Sequence, residues 1–411
     1  MSRNLPTNVS LGLAAAVVAA IFCLTAVSPV VEAAVGPNPV DPSGTFPTNG
    51  RLVFRNPRGL QQHYAFFLSA ASGNWVYRSS PDGSTWSDAQ VVIDTGIGSA
   101  SLWISDIGTL LVVYFVANSP ASLGNVRYRR GTIPDSSVTI MWSPAQTIEQ
   151  TTYANYFGLS ITRTDNGRPV ITAVSELVGG DGTYSYEVRA WGADQDTSAP
   201  VWTRISLMAP YRSLGQPKIG GYTSVYSAGL GNYIFVGASA ARGYNPEPLP
   251  WDVSWLAAIW DGNSWVKGSI SILSHSESAA RPITVVVDEN HWAHALVVYP
   301  TNGNRPPLSH YHAYSVDGSM WQIYTVSTDA VTSATLTIDL SSETKNLRAM
   351  YHYGTRDIRW KTTPIGTISW SSENTIPWSQ DATDFSSSQR DFVGRMHALV
   401  ESSGGVFYLG L

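Results

Sequence analysis

The sequence Tyr77-Arg78-Ser79-Ser80-Pro81-Asp82-Gly83-Ser84-Thr85-Trp86 joins the end of a β-strand to a tight polar turn. Up to Arg78 the side chains alternate with the two-residue period of a strand. Proline then restricts φ, aspartate accepts hydrogen bonds from the backbone ahead of it, and glycine adopts positive φ. Trp86 follows at the point where its ring can fold back over the turn and be buried.

This turn recurs along the chain. The Ser-x-Asp-Gly-x-x-Trp spacing is repeated from Ser315 to Trp321, and Asp261 to Trp265 keeps the Asp-Gly and the Trp with one residue fewer between them. Degenerate copies end at Trp142, Trp202 and Trp370. The six tryptophans, with Trp86 the first, are 49 to 63 residues apart. A period of this length indicates a repeat architecture.

The composition favours an all-β protein. Charged residues make up 13% of the chain, against about 25% in an average domain. The 411 residues include 15 Trp, 20 Tyr and 35 Gly, which suits many short strands and turns better than a helical bundle. The net charge is −5, and Lys and Arg form no cluster. We therefore expect no nucleic acid partner, because phosphate contacts need a dense basic surface.

The N-terminal residues 1–34 differ from the rest. An apolar run extends from Leu11 to Val31, and small residues follow at Ala33 and Ala34. This pattern predicts a secretory signal peptide, cleaved after one of these alanines. An uncleaved anchor is the alternative, because the run is long enough to span a bilayer. Cys23 is the only cysteine, so we expect a secreted or extracellular protein without disulfides, attached to a membrane only if this segment is retained.

The remaining chain repeats one pattern. Residues 35–50 are rich in Pro, Gly, Ser and Thr and predict a linker. From Arg51 onward each module contains a hairpin, a third strand, the Trp turn and a fourth strand, and Asn166-Gly167 is a strong hairpin signal. Residues 51–411 are therefore predicted to form a β-propeller of four-stranded antiparallel blades. The modules are too short for sandwich domains of about 100 residues.

The number of blades is six or seven. Six modules carry a Trp turn, while the hairpin from Met396 to Leu411 adds a seventh pair of strands, which we assign to the inner part of a blade. Either the N-terminal segment completes a seventh blade, or the ring has six blades and the terminal strands interleave. We favour seven.

The repeated turn resembles the Asp-box, also called the bacterial neuraminidase repeat, and residues 51–411 resemble a sialidase-like Asp-box propeller. In that family the box lies between the third and fourth strands, on the ring face away from the catalytic cleft, and its residues are structural. The resemblance implies a structural role for Ser80, Asp82, Gly83, Trp86, Ser315, Asp317, Gly318 and Trp321.

The resemblance also implies a type of catalytic site. Sialidases hold the substrate carboxylate with three arginines and use a tyrosine nucleophile paired with a glutamate, together with an Asp acid/base. Phe54-Arg55-Asn56-Pro57 matches three of the four positions of the family's Phe/Tyr-Arg-Ile-Pro motif. However, Arg55 ends the first inner strand instead of beginning it, and no acid lies between Leu60 and Leu68.

In a propeller, the loops between second and third strands and between consecutive blades build the functional face. Here these loops contain several arginines and aromatic residues, which suits an anionic or sugar ligand; the alternative is that they are solvated charges paired locally. The candidate catalytic residues are Arg212, Arg281, Arg356, Tyr353 and Glu176, and the candidate ligand-binding residues are Arg242, Tyr244, Trp251, Arg305 and Arg395.

A metal site is not expected. His310 and His312 share one face of a strand, but neither a carboxylate nor a third histidine completes a set, and His291 and His294 point to opposite faces. A packed or surface pair is therefore expected. No motif indicates a cofactor.

Two functions remain open. The protein is expected to engage a glycan or a cell-surface glycoconjugate as a monomer, and a non-catalytic binding module is favoured. The alternative is an exo-acting, sialidase-like glycoside hydrolase that uses an arginine cluster and a Tyr/Glu pair on the loop-rich face.

Overall fold

The computed structural model describes residues 35–411 except 47–50, 95–97, 119–123, 180–183, 214–221, 231–232, 242–250, 270, 277–280, 291, 300–305, 314–320, 342–344, 354–356, 379, 381, 389 and 392–394. The predicted signal peptide lies outside the described residues. The described part is built from strands and turns and contains no helix that could cross a membrane.

The strands follow one another through seven sheets. The chain starts with β1 (Val35–Asp41), and blade 1 contains β2 (Val53–Arg55), β3 (His63–Leu68), β4 (Trp75–Ser80) and β5 (Gln90–Ile93). Blade 2 contains β6 (Ala100–Ile107), β7 (Leu110–Asn118), β8 (Asn125–Pro134), β9 (Met141–Trp142) and β10 (Gln146–Gln150). Blade 3 contains β11 (Ala154–Arg163), β12 (Pro169–Val178), β13 (Tyr184–Ala193) and β14 (Trp202–Ser213).

The second half of the ring repeats this plan. Blade 4 contains β15 (Tyr222–Leu230), β16 (Tyr233–Ala241), β17 (Trp251–Trp260), β18 (Trp265–Lys267) and β19 (Ser271–Ser276), and blade 5 contains β20 (Arg281–Val287), β21 (Ala293–Val298), β22 (Leu308–Ala313) and β23 (Trp321–Ser327). Blade 6 contains β24 (Val331–Asp339), β25 (Asn346–Tyr353), β26 (Asp357–Pro364) and β27 (Asn374–Pro377). Blade 7 contains β28 (Ala382–Ser387), β30 (His397–Ser402) and β31 (Gly405–Gly410), and the short β29 (Arg390–Asp391) pairs with β24.

These sheets form the predicted propeller, with seven blades. Within each blade the main strands pair antiparallel in chain order. The first strands of successive blades contact one another, so β2, β6, β11, β15, β20, β24 and β28 surround the ring axis. Hydrophobic cores lie within and between the blades, and their largest fully buried side chains include Trp75, Trp191 and Trp260.

Blade 7 is closed by the start of the chain. Strand β1 pairs antiparallel with β31, from Val35 opposite Gly410 to Asp41 opposite Val406. The prediction of a linker at 35–50 is therefore wrong for residues 35–41, because their backbone completes the last sheet. The Met396–Leu411 hairpin supplies the second and third strands, not the inner pair, and β28 is the inner strand. Blade 7 lacks a Trp turn because its third and fourth strands come from opposite parts of the chain.

The Asp82 turn has the expected geometry between the third and fourth strands of blade 1. Asp82 Oδ1 accepts hydrogen bonds from the backbone N–H groups of Ser84 and Thr85, both at 2.8 Å, and Gly83 has a φ of 72°. These bonds, with that from Thr85 the largest, lower the pKa of Asp82. Asp261 repeats the arrangement, accepting from the backbone N–H groups of Asn263 and Ser264. Asp82 and Asp261 therefore organise their turns; Ser315, Asp317 and Gly318 lie outside the described residues.

The recurring tryptophans pack against the cores. Each is partly buried against a hydrophobic cluster: Trp86, Trp142, Trp202, Trp265, Trp321 and Trp370. The ring of Trp86 meets that of Tyr408 at 5.4 Å between centroids, which links blade 1 to blade 7. Trp321 packs on Trp255 at 5.1 Å.

Replacing Trp86 with Ala is expected to destabilise the propeller by about 2 kcal/mol. A fully buried Trp costs roughly 3–5 kcal/mol when truncated, and this residue is partly buried against the core. Urea unfolding followed by fluorescence measures the change. Trp86→Phe is the control that keeps an aromatic ring over Tyr408, and an unchanged midpoint for Trp86→Ala would contradict the structural role.

Candidate functional site

A polar cavity of about 200 Å³ lies at the centre of the ring. It is formed by β6 of blade 2, the end of β11 in blade 3, and β29. The residues that line it are Trp103, Ile104, Ser105, Asp106, Arg163, Thr164, Asp165 and Arg390.

Local structure places two of these residues at the mouth. After β11 the chain makes a tight turn in which Gly167 adopts a φ of 87° and its N–H donates to Thr164 O at 2.9 Å. Glycine allows this left-handed conformation without strain. The turn therefore holds Thr164 and Asp165 directly beyond the inner strand, at the ring axis.

Strand β29 brings a guanidinium group to the same place. Ile338 of β24 pairs with Arg390 in parallel, and Leu340 N–H donates to Asp391 O at 2.7 Å. The guanidinium carbon of Arg390 lies 5.5 Å from the centroid of the Trp103 ring. An arginine over an indole face is attracted by the ring quadrupole, so Trp103 orients this cation.

The guanidinium group of Arg390 is available to a ligand in the cavity. Within the described part of the chain it makes no hydrogen bond or ion pair. Burial lowers its pKa, while the charges of Asp165 and Asp288 oppose that shift. Arginine remains charged at neutral pH under such shifts. A partly buried guanidinium with open donors is suited to bind an anion.

The other charged groups are mostly paired. Arg163 donates to Ser105 Oγ at 2.9 Å and lies 4.0 Å from Asp196 Oδ2, and Asp106 pairs with Arg58. Asp165 is exposed and has no hydrogen-bond or ion-pair partner among the described residues. The cavity therefore presents to a ligand the guanidinium group of Arg390 and the carboxylate of Asp165, which have no hydrogen-bond or ion-pair partner among the described residues.

The cavity lies at the edge of the ring opposite to the loop-rich edge at which the sequence predicts a site. In an antiparallel blade, the connection between the first and second strands lies at the same edge as the connection between the third and fourth strands. Strands β6 and β11 are first strands, so their ends lie at the edge of the ring that carries the Ser80–Trp86 turn. Towards the other edge, the buried Arg51 reaches across the ring from blade 1 and donates to Thr284 Oγ1 of blade 5 at 2.9 Å. A ligand would therefore enter from the side of the Asp turns.

The predicted catalytic residues are placed only in part. Arg212 lies near the end of β14, Arg281 begins β20, and Tyr353 ends β25, but their side chains are outside the described part of the structure. Arg356 lies outside the described residues altogether. Glu176 belongs to β12, so its assignment to a loop is corrected: the strand continues to Val178.

Glu176 takes part in a tyrosine–glutamate pair. Tyr186 OH donates to Glu176 Oε1 at 2.7 Å, and Asn155 Nδ2 donates to Glu176 Oε2 at 3.0 Å. The three residues are cross-strand neighbours on β11, β12 and β13. The sequence alone did not identify Tyr186, because the pairing depends on the register of two strands.

The predicted ligand-binding residues are not brought together by the described structure. Arg242, Tyr244 and Arg305 lie outside the described residues, and Trp251 begins β17. Arg395 was predicted in a loop between blades. It lies instead between β29 and β30, within blade 7 and on the opposite edge, because β28 and β29 occupy the segment read as a loop.

The histidines form a buried group that includes two residues not expected there. His294 Nδ1 lies 3.1 Å from His310 Nε2, His294 Nε2 lies 3.0 Å from Asp288 Oδ2, and the ring of His312 stacks on that of His294 at 4.4 Å. The sequence did not place a third histidine or a carboxylate beside His310 and His312, but β21 brings His294, and with it Asp288, next to them. Among the described residues no group of three or more potential ligands has an arrangement that could hold a metal ion.

No family model matches the chain, and no curated protein matches its sequence. Among solved structures, a polysaccharide lyase of family PL25, an ulvan lyase, has a TM-score of 0.51 and 12% identity, covering 89% of this chain and 94% of the lyase. A protein of unknown function from Dyadobacter fermentans has a TM-score of 0.47 and 10% identity, covering 76% and 92%. Trypanosoma rangeli sialidase in complex with sialic acid has a TM-score of 0.43 and 10% identity, covering 89% and 57%. At this identity the similarity to the lyase shows a similar fold.

Proposed function

We propose that the protein is an exported propeller that binds an anionic glycan in the central cavity without converting it. One observation carries this proposal: Arg390 lies over Trp103 and faces the cavity with no hydrogen-bond or ion-pair partner among the described residues. A carboxylate or sulfate accepts two parallel hydrogen bonds from such a fork.

The rest of the cavity suits a sugar. Asp165 can accept hydrogen bonds from sugar hydroxyls, and the hydroxyl of Ser105, which accepts from Arg163, retains a proton to donate. The volume of about 200 Å³ is below the roughly 300–1,000 Å³ of sites for drug-sized ligands. It therefore suits a single sugar unit or a chain end. The ulvan lyase, whose fold is similar to that of this chain, is a polysaccharide lyase. This supports glycans as the ligand class.

A glycan array probed with residues 35–411, which form one compact unit, tests the proposal. Uronate-containing, sialylated and sulfated glycans are expected to bind, and neutral ones are not. Incubation with a fluorogenic sialoside and with the bound glycans checks for turnover. Binding of neutral glycans alone, or no binding, would reject the proposal.

The Tyr186–Glu176 pair supports hydrolysis as a second candidate function. A carboxylate that accepts a tyrosine proton is the pairing expected for a tyrosine nucleophile. If the protein turns over a sialoside, Glu176→Gln is expected to lower kcat at least about a hundredfold. Because Gln keeps the side-chain size, the variant is expected to fold like the wild type. Its free energy of unfolding is measured as the control. Unchanged turnover in Glu176→Gln would remove this pair from any mechanism.

A further inference from the structure

A second, smaller pocket adjoins the polar cavity. It has a volume of about 20 Å³ and shares Trp103, Ile104 and Arg390 with that cavity. Its other walls come from the beginning of blade 1, from β6 and from the residue after β28; they are Arg51, Val53, Phe54, Leu102 and Ser388. We name the space lined by these eight residues the inner pocket. Because the two spaces share Arg390, a ligand bound to this guanidinium group lies beside both.

The inner pocket lies farther from the mouth than the polar cavity. The polar cavity contacts Ser105 and Asp106 near the end of β6, whereas the inner pocket contacts Leu102, which comes earlier in the same strand. The pocket is also lined by the buried Arg51, which reaches across the ring to Thr284. A ligand that enters from the side of the Asp turns therefore reaches the inner pocket with the end of its chain.

The walls of the inner pocket favour one small apolar group. Val53, Phe54 and Leu102 are buried hydrophobic residues, and Trp103 and Ile104 add further apolar surface. A cavity needs roughly 10–15 Å³ to hold one water-sized group, so this pocket has room for one group of the size of a methyl. A methyl group gains free energy when it leaves water for such walls.

Ser388 adds a hydrogen-bonding group to the inner pocket. The residue is 4% exposed, and its Oγ has no hydrogen-bond partner among the described residues. Ser386, two residues earlier, faces blade 1, because its Oγ accepts from Leu52 N–H at 2.7 Å. The two-residue period of a strand directs Ser388 to the same side, where the pocket lies. Buried hydroxyl groups are normally hydrogen-bonded, so this one points to an oxygen supplied by a ligand.

We propose that the inner pocket selects acidic glycans whose terminal residue carries a methyl ether or an acetyl group. This inference rests on the proposed function and specifies its ligand class. The anionic group binds Arg390, the methyl group fills the inner pocket, and the ether or carbonyl oxygen accepts a hydrogen bond from Ser388 Oγ.

A free sugar hydroxyl suits the same place less well. It brings a proton that needs an acceptor, and the guanidinium groups of Arg51 and Arg390 only donate. The remaining wall is apolar except for Ser388. A hydroxyl group would therefore lose its hydration with one partner at most, and this loss is unfavourable.

The test is isothermal titration calorimetry of residues 35–411, one compact unit, at about pH 7.5 with two matched pairs of glycans. The first pair consists of xylo-oligosaccharides that end in 4-O-methylglucuronate or in glucuronate. The second consists of lactosides that end in N-acetylneuraminate or in its deaminated analogue, which has a hydroxyl in place of the acetamido group. In at least one pair the methyl-bearing glycan is expected to bind at least about tenfold more tightly. The pair that shows the preference distinguishes a methyl ether from an acetyl group.

Two variants of the inner pocket test where the methyl group binds. Val53→Ile adds one methyl group to the wall, so it should weaken binding of the methyl-bearing glycan and leave its partner unchanged. Ser388→Ala should lower the affinity for the methyl-bearing glycan at least about threefold. Ser387→Ala is the matched control, because the hydroxyl of Ser387 lies 2.6 Å from Thr335 Oγ1 of blade 6. It should keep the full preference.

The failure of this inference is distinct from the failure of the proposed function. If the acidic glycans bind but both members of each pair have equal affinity, the inner pocket selects nothing and the proposed function still stands. A preference that persists undiminished in both Val53→Ile and Ser388→Ala would place the methyl group elsewhere and also overturn the inference. If no acidic glycan binds, both are wrong.

Discussion

Lowering the pH from about 7.5 to about 5 is expected to reduce the free energy of unfolding of residues 35–411 by at least about 4 kcal/mol. The cause is a set of buried histidines that cannot take up protons while the protein is folded. Burial lowers the pKa of His63 and of His312 to about 4. Burial also lowers the pKa of His310 and His397 well below the usual value.

The sign follows from proton uptake. A histidine in the unfolded chain titrates near pH 6.5, so between pH 6.5 and 4 the unfolded state binds more protons than the folded state. Stability is complete above pH 6.5 and falls as the pH decreases through this window. A shift from 6.5 to 4 amounts to about 2 kcal/mol per histidine at pH 5. Burial raises the pKa of Glu401, and that carboxyl changes stability in the opposite direction.

Urea unfolding at several pH values measures this loss, and His312→Phe identifies part of its source. The ring of His312 contacts that of Trp292 in a tilted arrangement at 4.6 Å and stacks on that of His294, so phenylalanine can keep the packing without titrating. The variant should show a pH dependence that is weaker by about 2 kcal/mol at pH 5. An equal free energy of unfolding at pH 7.5 and 5 in the wild type would contradict the account of these histidines.

The fold could be predicted because its signals are local. The Ser80–Trp86 turn contains its own hydrogen bonds, in which the backbone N–H groups of Ser84 and Thr85 donate to Asp82 Oδ1. Its tryptophan recurs in six of the seven blades, so the period of the repeat could be counted directly. The long-range closure was predicted only in outline: the N-terminal segment was expected to complete a seventh blade, but the pairing of β1 with β31, which joins residues at opposite ends of the described chain, was not located. No local pattern marks such a pair, and Pro and Gly within β1 made it resemble a linker.

The candidate site was missed for a related reason. Trp103 lies on an inner strand that was recognised, and Arg163 and Asp165 lie at and just beyond the end of another, so their approach to the ring axis could have been inferred from the predicted topology. Arg390 could not, because β29 is two residues long and is held by a parallel pairing with β24. Arg395 was predicted in place of Arg390 because the site was expected on the loop-rich edge.

Replacing Arg390 with Gln is expected to lower the affinity for an anionic glycan at least about a hundredfold, or about 2.7 kcal/mol. The guanidinium supplies the charge-assisted hydrogen bonds of the site, and these are about twice as strong as neutral ones. Gln keeps a polar side chain in the cavity but removes the charge and the planar fork. Folding should change little, because Arg390 makes no hydrogen bond or ion pair within the described part of the chain.

The most direct measurement is isothermal titration calorimetry of the best-binding anionic glycan at about pH 7.5 with three proteins: wild type, Arg390→Gln and Arg204→Gln. Arg204 is an exposed arginine whose partner is Glu149 in blade 2, so its variant matches the change in net charge away from the cavity. If the glycan binds in the central cavity, Arg390→Gln is expected to lose about a hundredfold in affinity. Arg204→Gln is expected to keep the wild-type affinity. Equal affinity in wild type and Arg390→Gln would show that the glycan binds elsewhere.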